Sequence, residues 1–278
     1  MNRLRLVVMV ENTAAGRGVL GEHGLSFLLE IGQQRLLVDT GQGMALCHNA
    51  LKLDVNLAQI DTLVLSHGHY DHSGGVAVLP RRTVPLPVFV HPAAFESKFS
   101  QHADGSVHEV GLPTAAQTAL ESGDFQLRRI RELTEILTDV FVTGEIPRRT
   151  TYEDVGGAFF LNESCTEPDP LRDDQAVAVR TAAGVVLLLG CAHAGTVNTM
   201  NHVADFLDIT RFHAVIGGMH LQNASQERLE ATLQALDRYD VQLICPCHCS
   251  GLQTSLRVWQ RFPDRFRHIS AGTVLDIG

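Results

Sequence analysis

Ser66-His67-Gly68-His69-Tyr70-Asp71-His72-Ser73-Gly74-Gly75 decides how this chain is read. It packs three histidines and one aspartate into six positions, and neutral imidazole and carboxylate are the ligands that zinc-class metals favour. His67 and His69 are two apart, so in an extended chain they face one way; Asp71 and His72 are adjacent and diverge. A loop turning there gives His67 and His69 to one metal and Asp71 and His72 to a second. Gly68, Gly74 and Gly75 permit the tight turns this demands. The stretch directly follows Ile60-Asp61-Thr62-Leu63-Val64-Leu65, which reads as a buried strand, so the ligands stand at a strand end.

Outward from this point, residues 4–10 read as a strand and 24–39 as a hairpin whose two apolar runs flank Gly32-Gln33-Gln34. Residues 44–53 look helical and 86–91 form a strand ending at His91. Residues 95–170 carry most of the polar and Arg-rich sequence and read as an insertion or lid, with a strand near Val140 to Thr143. Strands at 175–180 and 184–190 precede a helix at about 197–206. Strand 212–217 precedes a helix at about 225–238, where Leu229, Leu233 and Leu236 hold helical spacing. Strand 241–245, a helix at 252–261 and a strand at 267–275 close the chain. One domain over 1–278 is expected, an α/β fold of packed sheets with helices outside.

The chain has 278 residues, 45% hydrophobic and 19% charged, which is enough apolar sequence for a full core and excludes low-complexity disorder. A net charge of -9 argues against a general nucleic-acid or anionic-membrane binder. Arg128, Arg129 and Arg131, and Arg148 with Arg149, read mainly as solvated faces. The apolar run before Glu11 is short for an export signal, and no run reaches the roughly 18 residues of a membrane helix, so cytoplasmic residence is the expectation. The six cysteines then read as reduced thiols.

His67-x-His69-x-Asp71-His72 followed by Gly74-Gly75 resembles the signature of the metallo-β-lactamase-fold superfamily. Leu37-Val38-Asp39-Thr40-Gly41 resembles its first motif, in which a buried Asp supports the metal loop. The resemblance spans essentially the whole chain and implies an αββα four-layer sandwich with a two-metal site at one edge. It implies that further strand-end groups complete the site. In Gly190-Cys191-Ala192-His193-Ala194-Gly195 the superfamily usually has a bridging Asp, and this chain offers His193 as the ligand. His248 fits the last ligand position, after a late strand. His220 competes with it and is assigned instead to supporting or proton-transfer work. Asp174, in Leu171-Arg172-Asp173-Asp174-Gln175, stands where relatives often have a further His and is a candidate carboxylate ligand. If residues 247–249 continue a strand, Cys247 and Cys249 point away from His248 and are structural.

A narrower likeness lies in Glu22-His23-Gly24-Leu25-Ser26, Thr143-Gly144-Glu145-Ile146-Pro147-Arg148, GCAHAG, GGMHL and CHCSG. Together these are similar to the branch of dihydropterin ribofuranosylaminobenzene phosphate synthase-like proteins. The expected cofactor is a pair of divalent metal ions, zinc first, with iron or manganese compatible with the ligands. Two cations about 3.5–4 Å apart can ionise a shared water and polarise a carbonyl or phosphoryl oxygen. Asp71 would coordinate one cation and orient the nucleophile, His220 would donate a proton to the leaving group, and Asp39 would fix a ligand. His23 and Arg148 are candidates to contact an anionic group. The expected activity is hydrolysis of a small phosphorylated or ester-like metabolite. The alternative is a synthase that transfers from a pterin diphosphate to an arylamine. The expected partner is a small molecule; self-association is left open by the sequence.

Overall fold

A computed structural model describes residues 3–278. In chain order the strands are β1 (Leu4–Val10), β2 (Ser26–Ile31), β3 (Gln34–Val38), β4 (Thr62–Val64), β5 (Leu86–Val90), β6 (Phe99–Gln101), β7 (Val107–Glu109), β8 (Phe125–Arg129), β9 (Thr134–Leu137), β10 (Val140–Val142), β11 (Phe159–Phe160), β12 (Ala176–Thr181), β13 (Gly184–Leu189), β14 (Ala214–Gly218), β15 (Leu243–Cys247) and β16 (Val274–Ile277). The helices are α1 (Leu46–Lys52), α2 (Tyr70–Ser73), α3 (Thr114–Leu120), α4 (Thr196–Leu207), α5 (Gln226–Arg238) and α6 (Leu252–Arg261).

Two large sheets pack face to face. One has the order β16-β1-β2-β3-β4-β5-β8, the other β15-β14-β13-β12-β10-β9. Period-2 alternation explains how each sheet buries two faces. In β13, Val186 and Leu188 join the cluster between the sheets with Phe27, Leu29 and Ile216. Val185, Leu187 and Leu189 point the other way, into a second cluster with Met200 of α4, Leu233 of α5 and Val258 of α6. Leu28 and Leu37 face a third cluster with Leu46 of α1 and Ala116 of α3. The result is the αββα sandwich. The helices close its outer faces because their apolar residues recur at helical spacing, as Leu229, Leu233 and Leu236 do on α5. Ser225 Oγ starts α5 by accepting from Arg228 N–H at 3.1 Å.

Two expectations are revised. The stretch 95–170 divides: β6, β7 and β11 form a separate three-stranded sheet, whereas β8 extends the first main sheet and β9 and β10 extend the second. The final strand spans Val274–Ile277, not 267–275. Residues before it are held by isolated bridges, Ile244 to Phe266 and Ala14 to Ala271, so they cross between the sheets without joining a ladder.

Sheet direction positions the site. β3 runs parallel to β4, and β13, β14 and β15 run parallel to one another. Their carboxyl ends therefore emerge on one edge, where open α/β sheets present binding groups. Among the described residues, no helix is long and apolar enough to cross a membrane.

Candidate metal centre

Asp39 follows β3, residues 66–72 follow β4, Cys191 and His193 follow β13, His220 follows β14 and His248 follows β15. Four residues at these strand ends, Asp39, Ala192, His220 and His248, hold left-handed φ between 47° and 58°. Such backbone costs about 1–3 kcal/mol each in a non-glycine residue and persists where surrounding structure imposes it. Gly68 and Gly75 are needed for a different reason than positive φ. A Cβ on Gly68 would overlap the Ala94 carbonyl oxygen, and one on Gly75 that of Thr40.

Hydrogen bonds fix the proton on the outer nitrogen of four imidazoles. Ser66 Oγ donates its one proton to Asp39 Oδ2 (2.6 Å), so the 2.9 Å contact from His67 Nδ1 to Ser66 Oγ has the ring as donor. His72 Nδ1 donates to Asp39 Oδ2 (2.7 Å), His193 Nδ1 to Val155 O (2.7 Å) and His248 Nδ1 to Asn12 Oδ1 (2.8 Å). In the neutral ring each Nε2 is then left with a lone pair, and these nitrogens turn inward. His67 Nε2 lies 3.0 Å from His69 Nδ1, and His72 Nε2 lies 3.2 Å from His248 Nε2. The Nε2 atoms of His69 and His193 are buried with no hydrogen-bond partner. Converging lone pairs with externally anchored protons suit a cation.

The ligand atoms fall into adjoining groups, each with all members within 4.8 Å. His67, His69 and His193 form one; His23, Asp71 and His248 form another; His67, His72 and Cys191 join them. Asp71 Oδ2 is 3.3 Å from both His23 Nε2 and His248 Nε2, and 3.7 Å from His72 Nε2.

Burial and charge divide these groups electrostatically. Burial drives the His67 and His193 rings well below the ordinary imidazole range, and His72 and His220 respectively add to this. Burial likewise lowers His69 to about 3, against a partial opposing effect of Asp71. These rings are neutral, as ligation requires. His72 is buried too, but the Asp71 and Asp39 carboxylates outweigh desolvation and raise it to about 9, so its Nε2 carries a proton that a bound cation would displace. Desolvation would raise Asp71, yet His72 and His248 hold it far below the usual carboxylate range.

The expected residues separate as follows. His67, His69, Asp71, His72, His193 and His248 converge. Asp39 lies behind His72 and also accepts from Ser66 N–H at 2.7 Å. His220 donates from Nε2 to Gly156 O (3.1 Å), its buried Nδ1 has no hydrogen bond, and the ring falls in one group with Cys191 and His193. His23 stands at the rim, with its side chain 57% exposed. Asp174 is not brought into either group. Its Oδ2 accepts from Ala194 N–H (2.8 Å), so it braces the His193 loop from behind. Arg148 is also turned away, because its guanidinium donates to the carbonyls of His193, Pro170 and Leu171.

Two cysteines also reach the centre. β15 ends at Cys247 and residues 248–250 form a 3₁₀ turn, so strand alternation does not carry on to Cys249. Cys249 and Cys191 both stand within 4.8 Å of a His248 ring nitrogen. The available signal for Cys191 was its place one residue past the strand-ending Gly190, in the same turn as His193. Lys98 was not legible at all. It is fully buried and binds Asp169 (3.0 Å) and Asp173 (2.9 Å), and Asp173 in turn accepts from Gly68 N–H at 2.7 Å.

The chain also matches known proteins in sequence and fold. The pattern of the metallo-beta-lactamase superfamily matches residues 20–248. The chain is 28% identical to the 7,8-dihydropterin-6-methyl-4-(beta-D-ribofuranosyl)-aminobenzene-5'-phosphate synthase of Methanocaldococcus jannaschii, over 91% of this chain and 90% of that one. It is similar in structure to a metal-dependent hydrolase of the beta-lactamase superfamily, with a TM-score of 0.84, 27% identity and 99% of each chain covered. The Zn(2+)-bound PqqB of Methylobacterium extorquens shares the fold at a TM-score of 0.59 and 13% identity, with 98% of this chain and 100% of that one covered.

Proposed function

Since the chain belongs to the metallo-beta-lactamase superfamily, we propose that it is a metal-dependent hydrolase of a small phosphorylated or ester-like metabolite. Its two cations, zinc in the first instance, would be held by His67, His69 and His193 on one side and by Asp71, His72 and His248 on the other. The observation that carries this reading is the inward convergence of Nε2 atoms from four rings whose Nδ1 protons are all anchored outside. Divalent cations held there supply Lewis acidity, which ionises water near neutrality and polarises a carbonyl or phosphoryl oxygen.

The residues of this chain do the rest. Asp71, kept ionised by its histidine neighbours, accepts a hydrogen bond from the attacking water and aims it. His220, which Cys249 favours in its protonated form against desolvation, would then carry a second proton on Nδ1 and pass that one to the departing group. Phe159 of β11 walls the other side, with its ring centroid 5.1 Å from that of His69 and 5.4 Å from that of His193, and keeps water from the reacting atoms. A cleft of about 610 Å³ lined by Asn12, Gln222 and His248 gives substrate a place beside the second group. A larger cleft of about 810 Å³ at Arg5, Glu30 and Arg35 lies at the hairpin turn and holds none of these groups.

The second reading is a synthase that transfers from a pterin diphosphate to an arylamine, and the 28% identity to the archaeal synthase favours it. The two readings share the centre and differ in the acceptor. Elemental analysis of the purified protein, followed by phosphatase, phosphodiesterase and esterase substrates and by a pterin diphosphate with and without an arylamine, separates them. Turnover without arylamine supports the hydrolase. Product formed only with arylamine supports the synthase. A protein with no bound metal and no metal-stimulated turnover overturns both.

A further inference from the structure

From the position of one thiol, we propose that Cys191 Sγ is the ligand that joins the two histidine groups into a single thiolate-bearing metal centre. This rests on the metal-centre reading above and adds a ligand to it.

Cys191 is 2% exposed and stands just past β13, before the left-handed Ala192. Its Sγ lies 3.2 Å from His72 Nε2, the nitrogen whose ring partner is anchored on Asp39. The same sulfur lies within 4.8 Å of ligand atoms of His67 and His72, of His193 and His220, and of His248 and Cys249. Among the described residues, no other side chain belongs to three such groups, and these three draw on both sides of the centre.

The ordinary explanation of a buried cysteine is packing as a small apolar residue. Cys245 and Cys247 fit that explanation, since both belong to the apolar cluster between the sheets. Cys191 belongs to none of the three apolar clusters, although its neighbours Leu189 and Ala192 do. Its surroundings are imidazoles.

Nor does a carboxylate take the central place. Asp39 is committed to His72 and Ser66, Asp174 holds Ala194 N–H with one oxygen and stands outside every group, and Asp71 lies on the His23 and His248 side. Two thiols remain, and Cys191 belongs to three of the groups where Cys249 belongs to one, so the anionic ligand at the junction is the Cys191 thiolate. On metal binding the Cys191 S–H bond breaks, its proton leaves to solvent, and the sulfur lone pair forms the metal bond, with no change of oxidation state. A thiolate tilts the centre toward zinc, ferrous iron or cobalt(II) and away from magnesium or manganese.

Cobalt(II) tests this, because a cobalt–thiolate bond has a near-ultraviolet charge-transfer absorption that imidazole and carboxylate ligands lack. Metal-stripped full-length protein is titrated with cobalt(II), and bound metal and absorption are read together. Wild type should bind cobalt with the charge-transfer band. Cys191→Ser should lose the band, still bind cobalt at the histidines, and bind it at least roughly tenfold more weakly; loss of an outer partner alone costs about 10–100-fold. Cys191→Asp, which restores an anion, should recover affinity without the band and guards against a folding defect in the serine variant. Cys249→Ser should keep the band.

A band that survives Cys191→Ser, or one that disappears in Cys249→Ser alone, overturns the assignment. Wild type that binds cobalt with no band overturns the thiolate and leaves the histidine centre standing. Wild type that binds no cobalt overturns both.

Discussion

His72 links Asp39 to His248: its Nδ1 donates to Asp39 Oδ2 at 2.7 Å while its Nε2 faces His248 Nε2 at 3.2 Å. Asp39 and His72 are each at most 1% exposed, so little solvent competes for either contact. The carboxylate therefore selects the ring's tautomer and raises its basicity, and both effects act at the nitrogen that faces inward.

Asp39→Asn keeps the size of the side chain and removes its charge. It should weaken metal binding about 10–100-fold. Competition against a chelator of known affinity measures this. Unchanged affinity would show that Asp39 serves the fold alone.

His67→Ala combined with His69→Ala removes two inward rings from one group. Bound metal and turnover should both disappear, and the far-ultraviolet circular dichroism should stay native because both sheets and their three apolar clusters are untouched. Full metal stoichiometry in this variant would refute the ligand assignment.

Lys98 is fully buried between Asp169 and Asp173, and the two carboxylates hold its ammonium above the ordinary lysine range against desolvation. Lys98→Met strands two buried charges, a defect that costs about 3–5 kcal/mol. Urea denaturation should show that loss, and adding Asp169→Asn and Asp173→Asn should recover most of it. A loss under 1 kcal/mol (roughly one ordinary hydrogen bond) would contradict the account.

Burial raises Asp174 to about 6 from an ordinary 3.8, against the opposing Ala194 N–H. Between those values the folded protein holds a proton that the unfolded chain has released. The favourable contribution of the protonated form is complete below 3.8 and is lost as pH rises through 6. Asp174→Asn still accepts from Ala194 and never ionises. In metal-free protein it should match wild type near pH 4 and exceed it above pH 6 by up to about 3 kcal/mol, at 1.36 kcal/mol per pKa unit. Denaturation midpoints at both pH values check this, and a variant less stable than wild type at pH 8 would refute it.

Much of the fold was legible because its periodicities are local. Val185 to Leu189 announce a strand buried on both faces, and Leu229, Leu233 and Leu236 a helix with one apolar face. The segment 95–170 resisted such reading. Whether a short strand such as β8 or β10 extends a main sheet depends on pairing with residues far away in sequence, β5 and β12 here. The direction of Cys249 escapes the pattern for a related reason: alternation holds only while the strand lasts, and β15 stops at Cys247.

Taken alone, the amino-acid sequence determined the α/β class, the strand that delivers His67 to His72, and the kinds of side chain on offer, since composition and spacing along one segment are enough for those. Tertiary structure decided which groups meet: that Asp39 stands behind His72, that Asp174 and Arg148 face away, and that Cys191 lies at the junction. Parallel strands carry residues more than a hundred positions apart to one edge, and the direction of each side chain there is set by left-handed turns and buried hydrogen bonds that spacing along the chain does not encode.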